Sequence, residues 1–371
     1  MKLCKQSVGV TTNILFSTGR IFPRSRNWRD SIWARRGADA PSIGDNRKWP
    51  VLSPQMAPMK QDCDESPSEG PQAIPVITPS GCDIVYDSWK DHCRWNPISF
   101  SYMKWWQKDN PDIRHQYRPQ LHSYSLCLLS IFRIHTETIN IWTHLLGMLM
   151  VIGIMVTMLI KLDGDHIDKG MISVFCITAF ICFFNSSMFH TFLCHSASVK
   201  SFWNRMDYVS IIVLIVGSFV AWLYFMFGCW PKIRIVYMCI IAALGITMIV
   251  MFTFNRFTHP QYRHFRAGCF IGLGLCGIAP ALHLLYTIGF DYAIHKRSMG
   301  WLVGLGCSYI IGACIYAVRI PERWLPGHFD ILFHSHQFLH ISTLVGVSLN
   351  AYGLHKMAKF QLTEESCLPG L

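Results

Sequence analysis

The chain has 371 residues, half of them apolar and only 15% charged, against about 25% charged in an average soluble domain. Together with apolar runs of about 20 residues from residue 140 onward, this balance excludes an ordinary soluble domain and points to an integral membrane protein. A good part of the net charge of +11 sits near the N-terminus, which suits targeting or a lipid surface, and no nucleic-acid partner is expected.

Residues 1–36 hold Lys2, Lys5, Arg20, Arg24, Arg26, Arg29, Arg35 and Arg36 against Asp30 alone. Two readings fit: a mitochondrial transit peptide, or a disordered basic tail near anionic lipid. The stretch 7–16 is too polar for a signal-peptide core, and the tail reading is preferred. Prolines at 50, 54, 58, 67, 71, 75 and 79 leave little room for a helix. Residues 1–85 are therefore expected as a disordered cytoplasmic tail. In the juxtamembrane segment 86–137, Trp89, Trp95, Tyr102, Trp105 and Trp106 interleave with charges. That pattern predicts a small packed or interfacial element, with an adaptor-binding surface as the second reading. Residues 121–134 are too short and polar to span, and predict a short amphipathic helix along the interface.

Seven spans are expected over 139–160, 171–193, 208–228, 235–254, 267–289, 299–318 and 333–354. They form one domain over 138–355, followed by a short extracellular tail over 356–371. Glycines in span five (Gly272, Gly274, Gly277) and span six (Gly300, Gly304, Gly306, Gly312) are expected at close helix contacts. Pro280 should interrupt span five. Basic residues are nearly balanced between the two sets of short loops, so the positive-inside rule barely decides. The long basic tail favours a cytoplasmic N-terminus, and seven spans then place the C-terminus outside. The fifteen cysteines are irregularly spaced without CxxC, so neither a disulfide framework nor a cysteine zinc site is expected.

Helix parity gathers a polar constellation. His336 and His340 are four apart, so both project from one helix face. Ser186 and His190 repeat that spacing at the end of span two, and Asp207 opens span three. The end of span two and the starts of three and seven share one membrane face, whichever face is inside. Three imidazoles with a water in the fourth position are the ligand set of a catalytic-type zinc. Such an ion lowers the pKa of its water towards about 7. Asp207 is then the candidate general base, and Ser186 a candidate to steady a substrate carbonyl or the His190 environment. A purely structural zinc tying spans two and seven is the alternative. His144 is expected in a helix-packing hydrogen bond, His283 as a satisfied interior histidine and His195 as solvated. Arg319, Glu322 and Arg323 are expected to be topology anchors.

At these residues the chain resembles the progestin and adipoQ receptor (PAQR) family, and within it the adiponectin receptors. The matching stretches are 130–147 (SIFRIHTETINIWTHLLG), 189–196 (FHTFLCHS), Asp207-Tyr208, 217–224 (GSFVAWLY) and 321–340 (PERWLPGHFDILFHSHQFLH). The resemblance covers roughly 105–355. One departure is Ile139, where the adiponectin receptors carry glycine.

The resemblance implies an all-α integral membrane protein with seven transmembrane helices around a cytoplasmic-side Zn²⁺. The ligands carry over onto His190, His336 and His340, and the neighbouring Asp and Ser onto Asp207 and Ser186. It further implies a lipid-filled cavity, an extracellular protein hormone, a cytoplasmic adaptor, and a receptor role in lipid and fatty-acid metabolism at the plasma membrane, or else at an internal one. The same Ser, Asp and three-His set is similar to that of the alkaline ceramidases, which suggests hydrolysis of a ceramide-type amide. The competing class is a non-enzymatic hormone receptor or membrane-lipid sensor with structural zinc.

Overall fold

The structure, a computed structural model, describes residues 95–362. The expected tail, the juxtamembrane residues up to 94 and the chain end from 363 lie outside the described residues. Among the described residues the secondary structure is helical apart from one isolated antiparallel bridge, Ile98 to Tyr117. That bridge closes a small packed element in which Met103, Ile113 and Tyr117 are buried, while Trp95 packs separately against Leu126, Cys127 and Phe192. Of the interleaved aromatics expected to pack, Tyr102 and Trp105 are exposed. Asp330 pins the element from far along the chain. Its carboxylate accepts from the Arg114 and His115 amides at 2.8 and 2.9 Å.

Helix α1 (Tyr124–Leu129) starts at Ser123, whose hydroxyl accepts from the Leu126 amide. It lies within the segment expected to be amphipathic. Leu126 and Cys127 turn inward, while Tyr124, Leu128 and Leu129 are exposed. The long helices follow: α2 (Thr138–Lys161), α3 (His166–Phe192), α4 (Ala197–Met226) and α5 (Pro231–Thr253). After them come α6 (Arg263–Leu275), α7 (Ile278–Ile288), the short α8 (Phe290–His295), α9 (Met299–Val318) and α10 (Ser335–Gln361).

Helix α3 begins five residues before its expected start because Asp165 and Asp168 form a capping box. Asp165 accepts from the amides of Ile167 and Asp168, and Asp168 reaches back to the Asp165 amide. Helix α4 begins at residue 197 rather than 208. Ser196 caps it, so the polar residues Lys200, Asn204 and Arg205 lie on helix rather than in a loop. The expected break in span five is real and falls at Cys276-Gly277, between α6 and α7. Pro280 then sits in the first turn of α7, where its missing N–H costs least.

Six helical stretches are long and apolar enough to cross a membrane: α2, α3, α4, α5, the α6–α7 pair and α9. Helix α10 has the length, at 27 residues, but falls outside that set. Histidines, Asn350 and two lysines dilute its apolar character.

Consecutive helices α2, α3, α4 and α5 pack side by side. Helix α10 lies along α9 and closes against α2 and α4, and α6 packs on α9. The core between them holds Phe175, Phe183, Ile212, Phe225 and Val347. A buried polar link fastens α4 to α10: the Trp222 indole donates to Asn350 Oδ1 at 2.5 Å, and Asn350 Nδ2 donates to Ser218 Oγ at 3.0 Å.

The glycine expectation needs correction. Gly272, Gly274, Gly300 and Gly306 face open space, and Gly304 makes only an ordinary contact. Tight approaches occur at Gly277 and Gly312, and also at Gly346, where an added Cβ would lie 2.2 Å from the Tyr309 ring. Among the described cysteines, Cys229 is disulfide-bonded.

Candidate metal centre

Three histidines meet where α3 ends and α10 begins. The ring centroids of His190, His336 and His340 are 4.8, 4.8 and 5.0 Å apart. The candidate ligand atoms of all three lie within 4.8 Å of one another. Tetrahedral ligands at about 2.0–2.1 Å from a zinc sit about 3.3 Å apart. The three nitrogens are thus near one another at a spacing somewhat wider than around a bound ion.

Hydrogen bonds assign the free nitrogens. His190 Nδ1 lies 2.8 Å from Glu137 Oε2. A carboxylate only accepts, so Nδ1 carries the proton and Nε2 keeps its lone pair. That Nε2 is buried with no hydrogen-bond partner, and the ring faces the other two imidazoles. On α10, His340 Nδ1 is 3.3 Å from Thr143 Oγ1, whose own proton goes to backbone carbonyls of α2. Thr143 therefore accepts from Nδ1, and His340 Nε2 also keeps its lone pair. A buried, unpaired imidazole lone pair is costly in a bundle core and is what a cation ligand needs. The residues present fit a divalent metal of the zinc type.

Both ends of this arrangement are built. Arg118, itself buried, donates to the His190 and Thr191 carbonyls and to Ser130 Oγ. A guanidinium there satisfies carbonyls left open at the end of α3 and opposes its dipole. Glu322 plays the mirror role for α10. Its fully buried carboxylate accepts from the Ser335 amide and hydroxyl and from Asn110, an anion at a helix N-terminus. The expectation that Glu322 is a topology anchor is thus corrected: it fixes the turn that carries His336. His336 itself meets the Tyr316 ring edge-on at 5.1 Å.

Asp207 and Ser186 are brought to the same place. Both are buried, and the Ser186 hydroxyl is hydrogen-bonded to the Asp207 carboxylate. All five residues singled out from sequence therefore converge. His283 is satisfied as expected, bonding Tyr237 Oη at 3.0 Å. His195 is half-buried rather than freely solvated, stacked near Tyr124.

His144 differs from expectation. It makes no packing hydrogen bond; both ring nitrogens are buried without a partner. It stacks on His340 instead, 3.8 Å between centroids and nearly parallel. Sequence reasoning also missed Glu137, which accepts from both His190 and Asn140, the latter at 2.7 Å. The available signal was its isolation: it is the one acidic residue between Asp112 and Asp163, and it sits at the membrane face of the histidines. Ile139, the departure noted above, lies in the first turn of α2 without disturbing the centre.

A family model described as "Haemolysin-III related" matches residues 132–350, from just before α2 to near the middle of α10. The chain is 38% identical over 275 residues to "Adiponectin receptor protein" of Drosophila melanogaster, covering 74% of this chain and 62% of that one. It is 37% identical to "Progestin and adipoQ receptor-like protein 1" of Caenorhabditis elegans, covering 73% and 63%. It is 30% identical to "Heptahelical transmembrane protein 3" of Arabidopsis thaliana, covering 73% of this chain and 90% of that one. The chain thus spans a little over three-fifths of the first two relatives. On a match through six of its long helical stretches and all three histidines, the chain belongs to the haemolysin-III related family, that of the progestin and adipoQ receptors.

Proposed function

We propose that this chain is an adiponectin-receptor-like protein of seven spans, whose His190, His336 and His340 hold Zn²⁺ and hydrolyse a ceramide-type lipid amide. The observation that carries the reading is the buried, unpartnered Nε2 of His190 facing two further imidazoles, with Asp207 and Ser186 beside them.

The seventh span is α10. At 1.5 Å per residue its 27 residues reach about 40 Å, longer than a hydrocarbon core of about 30 Å. Its polar residues turn inward: His340 and Asn350 are buried, while Ile341, Val345 and Tyr352 are exposed. A cytoplasmic N-terminus and a plasma-membrane location complete the proposal. A disulfide at Cys229, in the turn opposite the histidines, suits an oxidising outer compartment.

Bound zinc would supply a Lewis acid and a water of lowered pKa. The chain supplies the rest. Glu137 and Thr143 fix the rings of His190 and His340 in one tautomer. Asp207 accepts a proton from the attacking water and returns it to the leaving amine nitrogen. Ser186 orients Asp207 or donates to the substrate carbonyl. The C–N bond of the amide breaks, giving a fatty acid and a sphingoid amine. The receptor role, a protein hormone outside and an adaptor inside rest on the relatives' names and the family resemblance.

A structural zinc in a non-enzymatic receptor is the second reading, favoured by one feature: all three ligands come from only two helices, which the ion would tie together. The test is purified protein with ceramide, wild type against Asp207→Ala. The proposal expects slow, chelator-sensitive release of fatty acid by the wild type and none by a variant that keeps its zinc. No release from zinc-loaded wild type, or equal release from both, overturns the enzymatic reading.

A further inference from the structure

A second site lies at the same membrane face as the histidines, outside the metal centre. Between the start of α6 and the end of α9 is an open cleft of about 450 Å³. Arg263, His264, Arg319 and Arg323 line it, with Asp112 as the one carboxylate. Arg263 is committed to Asp109 at 2.5 Å, and one Arg319 nitrogen donates to the Asp109 carbonyl at 2.7 Å. Neither Arg319 nor Arg323 pairs with a carboxylate among the described residues. Arg323 and His264 are exposed, and the Nε atoms of Arg263 and Arg319 are buried without partners. Arg319 also holds a left-handed φ of 59° at the end of α9, a conformation that favours glycine over arginine. The cleft therefore offers positive charge at Arg319 and Arg323 that no carboxylate pairs with among the described residues.

Its position selects the ligand. The cleft opens between two helices of membrane-spanning character, and Val318, exposed at 38%, forms part of its apolar wall. A basic head site over an apolar flank matches a lipid with an anionic head better than a free ion. We propose that this cleft binds the phosphate of an anionic membrane phospholipid, with Arg319, Arg323 and His264 on the phosphate and an acyl chain along Val318. The site is independent of the metal reading. It is nevertheless close: the Arg263 guanidinium lies 4.6 Å from the Tyr316 ring centroid, and that ring meets His336.

The test uses the full chain in phosphatidylcholine nanodiscs containing about one-fifth phosphatidylglycerol, with retained lipid counted by native mass spectrometry. Each arginine near a membrane surface is worth about 1 kcal/mol, or about fivefold. Arg323→Gln should lower phosphatidylglycerol retention about fivefold and the Arg319→Gln/Arg323→Gln pair about thirtyfold, with phosphatidylcholine retention and zinc content unchanged. Arg323 is exposed, so the single variant decides the matter if the pair fails to fold. Retention equal in wild type and Arg323→Gln overturns the proposal. Complete displacement of the lipid by millimolar inorganic phosphate overturns it in favour of a free-anion site.

Discussion

Replacing Glu137 probes the metal centre without touching a ligand. Its carboxylate accepts from His190 Nδ1 at 2.8 Å, and the same oxygen accepts from Asn140. His190 is 1% exposed, so its Nδ1 depends on this partner. Glu137→Gln can present its carbonyl oxygen to both donors and keeps the shape. It loses the charge assistance, roughly half the strength of such a bond. Glu137→Ala leaves a buried N–H unpaired, at about 1–3 kcal/mol, and frees the ring to turn. Outer partners of metal-bound histidines typically set affinity by about 10–100-fold. Zinc affinity should therefore fall about tenfold in Glu137→Gln and towards a hundredfold in Glu137→Ala. The assay is titration of chelator-stripped protein against a competing zinc dye, with melting temperature as a folding control. Affinity in both variants equal to wild type, in protein that melts normally, would refute the argument that Glu137 orients His190.

Three further outcomes follow from the packing and charges. Gly346→Ala drives a Cβ to 2.2 Å from the Tyr309 ring between α9 and α10 and should cost about 1–3 kcal/mol, whereas Gly306→Ala, which faces open space, should change stability by less than about 1 kcal/mol; thermal melting in detergent separates them. Burial alone would raise the Asp109 carboxyl, but Arg263, Lys200 and Arg319 outweigh it and hold it down at about 2. Its folded value thus lies below an unfolded value of about 3.9, so its contribution is present above about pH 4 and is lost as pH falls towards 2. With Asp109 41% exposed, solvent screening limits that contribution to below about 1 kcal/mol, and Asp109→Asn should remove this part of the acid dependence of melting. Ser186→Ala should keep stoichiometric zinc and slow fatty-acid release, separating a role at Asp207 or the carbonyl from one in holding the metal.

The apolar runs made most of the bundle legible, because crossing a bilayer demands length and apolarity together. The three histidines were legible for a related reason: alternating helix direction carries residues 190, 336 and 340 to one face whatever lies between. What was hidden depends on side-chain partners rather than on spacing. Glu137 sits outside any helical repeat with His190, and nothing in the chain order relates it to a ring 53 positions away. Glu322 reads as a topology anchor because a lone charge next to a span usually is one; its burial became visible only with the helix end it caps. Helix α4 runs eleven residues beyond its expected start because polar residues on a helix extending past the apolar run look like a loop. The glycines of span six mislead for the same reason. A small residue permits a close approach, but only a partner such as Tyr309 on Gly346 or Ser342 on Gly312 makes one.

Three imidazoles sharing one ion are the centre of the proposed chemistry, and elemental analysis of purified protein tests that most directly. The prediction is one zinc per chain in wild type, retained in Asp207→Ala and lost in His190→Ala and His336→Ala. Wild-type protein without stoichiometric metal, or a His190→Ala variant that keeps it, would contradict the account.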